Sequence, residues 1–132
     1  MIRIQRNLFA TVLCFAVLPP FAADAADSKP ACDVSGAWNI VQDNGPVVNV
    51  KVSQDGSQIS GSANSGGAGG VLAGRATGRQ IGFRITWKDN TKGVYFGVIG
   101  SGNAVQGTTF EYDKPGNIAS WNVGDKIFSG CP

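Results

Sequence analysis

Residues 81–87 read Ile-Gly-Phe-Arg-Ile-Thr-Trp, and this stretch constrains the fold more than any other part of the sequence. Every second residue is large and apolar, ending in Trp87, while Gly, Arg and Thr stand between them. Successive side chains of a β-strand point to opposite faces, so this period of two predicts a strand with one buried and one solvated face. The apolar face therefore predicts a strand that lines the interior of an all-β structure.

Short runs of the same kind recur along the chain, separated by turn dipeptides such as Asp55-Gly56, and no helical period of useful length is present. Short connections favour an up-and-down antiparallel order, and eight strands can close into a small barrel. We therefore predict an all-β fold, an eight-stranded antiparallel up-and-down barrel. The predicted strands are residues 38–42, 47–54, 58–63, 71–77, 81–88, 93–99, 105–112 and 119–128.

The strand register predicts which side chains enter the barrel, because a shift by one residue would bury charges and expose aromatic rings. Arg84 and Lys88 are expected outside. The side chains expected inside include Val48, Val50, Val52, Phe83, Ile85, Trp87 and Phe110.

One connection, residues 64–70, has the composition of a mobile loop. It reads Asn-Ser-Gly-Gly-Ala-Gly-Gly, which offers little to bury against the rest of the protein and much entropy to lose on ordering. We expect this connection, between the third and fourth strands, to be disordered in the absence of a ligand.

The first 25 residues have the layout of a secretory signal peptide. Arg3 and Arg6 precede an apolar run at 8–18, and Ala23-Asp24-Ala25 supplies the small residues of a cleavage site. The apolar run is too short to span a bilayer comfortably, and no cysteine has a convincing lipid-attachment context. We predict a secreted or periplasmic protein without a membrane anchor, whose barrel domain occupies residues 26–132.

Cleavage after residue 25 removes Cys14 and leaves Cys32 and Cys131 near the two ends of the domain. In an oxidising compartment such an isolated pair is most simply a disulfide. We therefore predict a Cys32–Cys131 bond.

Charge and composition argue against several function classes. The net charge is +2 and the basic residues are dispersed, so there is no basic patch for nucleic acid. The absence of histidine removes Ser-His and Cys-His catalysis and the usual zinc sites, and we expect no cofactor. Glu111 and Asp113 share a strand face, but Phe110 and Tyr112 are better inward residues. The two carboxylates are therefore expected in solvent, and an enzyme is the least favoured class.

Three motifs, in this order, resemble the avidin and streptavidin family of biotin-binding barrels. Gly36-Ala37-Trp38 resembles the family's opening Gly-x-Trp, and residues 82–88 resemble its Gly-Phe/Trp-x-Val-x-Trp-Lys strand. Trp121, followed by Val-Gly-Asp-Lys-Ile-Phe at 123–128, is similar to the family's closing Trp and Val-Gly-x-x-x-Phe. The resemblance covers most of the mature chain. It implies that residues 64–70 are a lid, because the family carries its lid between the third and fourth strands. Trp38 is expected to plug the closed end of the barrel.

In that family four aromatic side chains box the ligand, and one of the four comes from a neighbouring subunit. The resemblance therefore implies a homo-oligomer. The alternative is that inward aromatic rings simply fill a small barrel and leave no cavity. The positions that correspond to the box are Trp87, Tyr95, Phe110 and Trp121.

The family's polar contacts to the biotin ureido group are largely replaced in this chain. The matching positions are Ile40, Asn44, Ala63 and Lys126, of which only Asn44 is a donor of the original kind. Ser65 matches a further polar contact, and a Ser/Thr pair of the family falls on Thr91 and Gly93.

The resemblance thus implies a small-ligand-binding barrel that does not bind biotin with avidin-like tightness. Asn44 and Ser65 are its predicted polar contacts. The alternative, from another class, is a protein-directed binder such as an inhibitor of a secreted hydrolase, which rests on analogy between folds.

Overall fold

Eight antiparallel strands follow one another around a single closed sheet, in which the eighth pairs with the first. The computed structural model describes residues 31–132, so the predicted signal peptide and its cleavage site lie outside the described residues. The predicted fold class is confirmed. The strands are β1 (Gly36–Gln42), β2 (Val48–Asp55), β3 (Gln58–Ser65), β4 (Ala68–Thr77), β5 (Gln80–Trp87), β6 (Lys92–Ile99), β7 (Val105–Glu111) and β8 (Lys114–Asn122).

The alternation of apolar and polar residues along β2 and β5 determines which of their side chains face the core. On β5 Arg84 is exposed, as is Lys88 just beyond the end of the strand. The register predicted from the period of two is therefore confirmed for both strands. Their buried residues are Val48, Val50, Val52, Ile81, Phe83 and Ile85.

A cluster of aromatic rings occupies the middle of the barrel. The Phe83 ring stacks on Tyr95 with 4.9 Å between centroids, and Trp121 meets Phe83 edge-on at 5.7 Å. The Trp121 indole lies over Gly97 and Gly107, and a Cβ built on Gly97 would come within 2.9 Å of it. The missing side chains of these glycines make the room that the indole occupies.

The two ends of the described chain meet at one end of the barrel, which we call the closed end. Cys32 is bonded to Cys131 there, which confirms the predicted disulfide. The Trp38 indole N–H donates to the carbonyl of Val34 at 2.9 Å, and its ring meets Phe128 edge-on at 5.4 Å. Trp38 is buried, so its predicted role as a plug is confirmed.

The opposite end, which we call the mouth, carries the β1–β2, β3–β4, β5–β6 and β7–β8 connections. Two residue pairs, Val41 with Asn122 and Gln42 with Trp121, join β1 to β8. Because these pairs fall at the end of both strands, the first part of β8 extends beyond the end of β1.

The last strand differs from its predicted bounds of 119–128. It begins at Lys114 and ends at Asn122. Gly124 then adopts a φ of 63°, and the Phe128 amide donates to the carbonyl of Asn103 at 2.8 Å, across the closed end. Val123 and Phe128 are buried and therefore cover the end of the core instead of continuing the wall, while Ile127 is exposed.

The lid predicted at residues 64–70 is wrong. β3 continues to Ser65 and β4 begins at Ala68, so only Gly66 and Gly67 connect them. Their φ angles are 56° and 90°, and a two-residue type I′ hairpin turn requires positive values at both positions. Glycine adopts these values without steric cost, so the glycines here form a tight turn in place of a loose loop.

Candidate functional site at the barrel mouth

A cavity of about 300 Å³ opens at the mouth of the barrel, between the end of β5, the start of β6 and the end of β7. Of the ligand-binding residues predicted from the sequence, Trp87 is the one that lines it. The lining residues are Trp87, Thr91, Lys92, Gly93 and Glu111.

Trp87 is the last residue of β5 and continues the inward series of that strand, but it is only partly buried. The turn that follows fixes its backbone, because the Trp87 amide donates to the Thr91 carbonyl and the Asn90 amide donates to the Trp87 carbonyl, both at 2.9 Å. The Asp89 carboxylate accepts from the Thr91 hydroxyl at 2.7 Å and from the Thr91 amide at 3.0 Å. These bonds, the hydroxyl bond first, hold the pKa of Asp89 below its usual range.

Glu111 faces the cavity from the end of β7. Its partner on β6 is Gly93, which carries no side chain. The expectation that Glu111 points to solvent is wrong. The pairing with Gly93 places Glu111 on the inner face of β7 with residues 105, 107 and 109, although the register between β7 and β8 shifts between Phe110 and Glu111.

Two basic residues of neighbouring strands lie near this carboxylate at the mouth. Lys92 pairs with Thr86, and both residues are on the outer face of the barrel. The Lys92 ammonium lies 3.4 Å from the Asn90 carbonyl oxygen. Lys114 is the strand partner of Glu111 in the β7–β8 hairpin and is exposed. The cavity thus combines an inward carboxylate with an ammonium at its rim.

Tyr95 lies beneath the cavity and is buried. A Cβ built on Gly93 would come within 3.1 Å of its ring, so the Tyr95 ring fills the space that a side chain at position 93 would take. The Tyr95 hydroxyl donates to Gln42 Oε1 at 3.0 Å. Burial raises the pKa of Tyr95 above its ordinary value, and a hydrogen bond with the Thr109 side chain opposes this shift. Tyr95 is therefore a neutral hydroxyl at physiological pH.

Trp121 belongs to the core and does not line the mouth cavity. It is 2% exposed, and its indole N–H donates to the carbonyls of Phe96 and Thr108, both at 3.1 Å. The only polar atom of this side chain is therefore satisfied by the barrel wall.

Phe110 is on the outer face of the barrel, so its predicted inward position is wrong. Its ring lies 6.5 Å from that of Phe96, which is 57% exposed. The inward neighbour is Thr109, which pairs with Tyr95 across β6 and β7 and is 6% exposed. The interior beside β7 is already occupied by Trp121 and Tyr95, which leaves no room for a further large ring.

The two predicted polar contacts lie at the mouth end but away from the cavity lining. Asn44 is exposed in the turn between β1 and β2. Ser65 is on the inward register of β3, and its hydroxyl donates to the Val47 carbonyl at 3.2 Å. Ser65 therefore ties the β1–β2 connection to β3.

The other three positions that match ureido contacts of the avidin family are Ile40, Ala63 and Lys126. The first two are apolar residues of the barrel wall, and the third lies at the closed end. Ile40 and Ala63 are 0% and 5% exposed and belong to the core. Lys126 follows β8 in the segment that crosses the closed end, where its amide donates to the Val123 carbonyl at 3.2 Å. Lys126 therefore lies at the closed end, away from the mouth cavity.

Glu111 and Lys92 are the cavity residues that sequence reasoning did not select. The signal for Glu111 is the spacing of Val105, Gly107 and Thr109, whose small or apolar side chains mark the inner face. Phe110 and Tyr112 suggest the opposite register because they are larger and more apolar.

Comparisons with protein-family models, with curated proteins and with solved structures found no match for the chain. The resemblance to the avidin family therefore stays a prediction. Residues 31–132 contain no group of three or more His, Cys, Asp or Glu side chains placed to hold a metal ion. The same residues include no helix with the length and hydropathy to cross a membrane.

Proposed function

We propose that the protein is a secreted or periplasmic barrel, avidin-like in scaffold, that binds a small ligand at its mouth. The observation that carries this proposal is that Trp87 and Glu111 line one open cavity, with Gly93 of β6 between them. An exposed aromatic wall beside one inward polar group is the usual composition of a small-ligand site. The Cys32–Cys131 disulfide supports the oxidising compartment.

The chemistry of the cavity favours a small ligand with a flat apolar part and a hydrogen-bond donor. The Trp87 indole offers a face on which a ring can stack. Glu111, as a carboxylate, accepts hydrogen bonds and favours a donor or a positive charge. A volume of about 300 Å³ is at the lower end of the range for ligand pockets, so the ligand is small or only partly enclosed.

Biotin does not fit this proposal as a tight ligand. Two of the donors that would hold its ureido oxygen are replaced by Ile40 and Ala63, which are wall residues. Each buried polar group left without a partner costs about 1–3 kcal/mol, and two such losses lower the affinity by several powers of ten.

The test is a thermal-shift and tryptophan-fluorescence screen of the mature protein against small molecules, with biotin included. Trp87 is the most exposed tryptophan, so a mouth ligand changes its emission. We expect Glu111→Gln to weaken binding of the best compound at least tenfold. Asp113→Asn removes the same charge two residues away, in the exposed β7–β8 turn, and is expected to leave binding unchanged.

A compound that binds wild type and Glu111→Gln equally, with no change in Trp87 emission, would place the site elsewhere. Trp87→Phe identifies the source of the emission change, because Trp38 and Trp121 remain in the core.

A further inference from the structure

The outer face of the barrel is divided into two walls of different chemistry. On β1–β3 the outward side chains are mostly short and polar, such as Asn39, Asn49, Ser60 and Ser62. On β4–β8, which we call the apolar-basic wall, large apolar side chains are exposed. They include Val71 at 65%, Phe96 at 57%, Val98 at 59% and Ile118 at 64%.

The apolar residues of this wall form a convex ridge along β6. Val94, Phe96 and Val98 occupy its outward positions in sequence, and the Phe110 ring lies beside Phe96. A shallow groove of about 660 Å³ runs alongside, where the Phe96 ring lies over Gly82. Exposed contiguous apolar surface of this kind marks an interaction site on a small protein.

The charges at the outward strand positions of the apolar-basic wall have one sign. Arg75, Arg84 and Lys92 point outward from β4, β5 and β6. Beyond the strands, Lys88 and Asp89 are both exposed in the β5–β6 turn, and Asp113 is exposed in the β7–β8 turn. Within the strands between residues 68 and 122, the outward positions hold no Asp or Glu. The Arg84 guanidinium lies 5.0 Å from the centroid of the Tyr112 ring, so a cation and an amphipathic aromatic ring are held together there.

We propose that the apolar-basic wall binds the surface of an anionic lipid bilayer. Exposed aromatic and aliphatic side chains enter the boundary between headgroups and acyl chains, while neighbouring Arg and Lys side chains meet anionic headgroups. The long stems of Arg and Lys allow the charged ends to reach the headgroups while the ridge enters the bilayer. This inference is independent of the ligand at the mouth.

Charge and shape favour a bilayer over other occupants. A second copy docking through the same wall would bring its Arg75, Arg84 and Lys92 near the basic residues of the first copy, and no outward strand position of the wall holds a carboxylate to pair with them. A convex ridge also fits a deformable surface better than it fits the flat or convex exterior of most proteins.

Co-sedimentation of the mature protein tests the proposal, with vesicles of phosphatidylcholine alone and of phosphatidylcholine mixed with phosphatidylglycerol. We expect binding to the mixed vesicles only, and weaker binding as salt is raised. Each basic residue near an anionic surface contributes about a fivefold change in partition, so Arg84→Gln is expected to weaken binding about fivefold. Lys51→Gln removes one positive charge from the β1–β3 wall and is expected to change nothing.

The apolar contribution is tested with Phe96→Ser, which is expected to reduce partition to mixed vesicles without lowering the Tm, since Phe96 is exposed. Equal binding to both vesicle types, equal loss in Lys51→Gln and Arg84→Gln, or no binding to either vesicle would overturn the proposal. If the proposal is overturned, sedimentation velocity shows whether the wall joins two copies instead: wild type would then be a dimer and Phe96→Ser a monomer. If both proteins are monomers, the remaining candidate for this basic wall is an acidic protein partner.

Discussion

At the scale of single residues, the interior depends on side chains that are absent. Gly107 lies under the Trp121 indole and against the backbone carbonyl of Phe96, so any Cβ added there collides with both. We expect Gly107→Ala to lower the free energy of unfolding by about 1–3 kcal/mol through overpacking. Urea denaturation followed by fluorescence measures the change.

Gly102 provides the matched control for this substitution. It lies in the β6–β7 turn, and a Cβ built on it meets nothing within 4 Å. Gly102→Ala is therefore expected to leave stability nearly unchanged. Equal losses in both variants would show that backbone effects, not the space under Trp121, determine the result.

Tyr95 gives the protein a predictable response to alkaline pH. Its folded pKa is raised by burial above the ordinary value of about 10. Between the unfolded and folded pKa values the folded state binds more protons, so the stabilisation is present below pH 10 and is lost as pH rises through the folded pKa. We expect the free energy of unfolding to fall above pH 10.

Tyr95→Phe is expected to remove part of this alkaline loss and, at neutral pH, to cost about 1 kcal/mol through the bond to Gln42. Tyr112→Phe removes an exposed hydroxyl and is the control. An alkaline loss that is the same in wild type and Tyr95→Phe would contradict the assignment to Tyr95.

At the scale of elements, the sequence predicts a strand well where one face is uniformly apolar. β2 and β5 meet this condition, so their register follows from the period of two. On β7 the inward residues include Gly107, Thr109 and Glu111, while the outward Phe110 is the larger apolar group. Alternation alone predicts the wrong face for this strand. The interior space beside β7 is filled by Trp121, which is distant in sequence and so does not show in the pattern of β7.

The candidate site was predictable to a similar extent. Trp87 follows from the β5 pattern, and the resemblance places Thr91 and Gly93 nearby. Glu111 does not follow, because its orientation depends on the register of β7. Residues 64–70 were mistaken for a lid because the composition of a two-glycine turn and that of a flexible loop are the same.

The β3–β4 hairpin therefore yields a prediction about hydrogen exchange. Asn64 pairs with Gly69, and Ser65 pairs with Ala68. We expect the amides of the hairpin that are hydrogen-bonded between the strands to exchange slowly in the ligand-free protein, and those of Asn44 and Gly45 in the exposed β1–β2 turn to exchange fast. Exchange of the hairpin amides as fast as that of Asn44 and Gly45 would contradict the hairpin and support a lid.

At the scale of the whole molecule, the disulfide joins segments that close one end of the barrel. Cys32 and Cys131 are 99 residues apart, and a loop of that length contributes about 4–5 kcal/mol in the chain-entropy model. We expect Cys32→Ser combined with Cys131→Ser to lower the free energy of unfolding by up to this amount. Urea denaturation measures it.

Reduction supplies the control, since dithiothreitol is expected to destabilise wild type and to leave the double variant unchanged.

Intact-mass analysis of the exported protein is expected to show a chain that begins at Ala26 with both cysteines oxidised. Retention of residues 1–25, or two free thiols, would contradict the predicted export to an oxidising compartment.

The measurement that tests the ligand site most directly is an NMR titration of the mature protein with the compound that raises its Tm most. We predict that the largest amide shifts cluster at Trp87, Thr91, Gly93 and Glu111, with small shifts at Leu72 in the core. Shifts centred on Leu72 or on the outward residues of β6, or a panel in which no compound raises the Tm, would contradict a small-ligand site at the mouth.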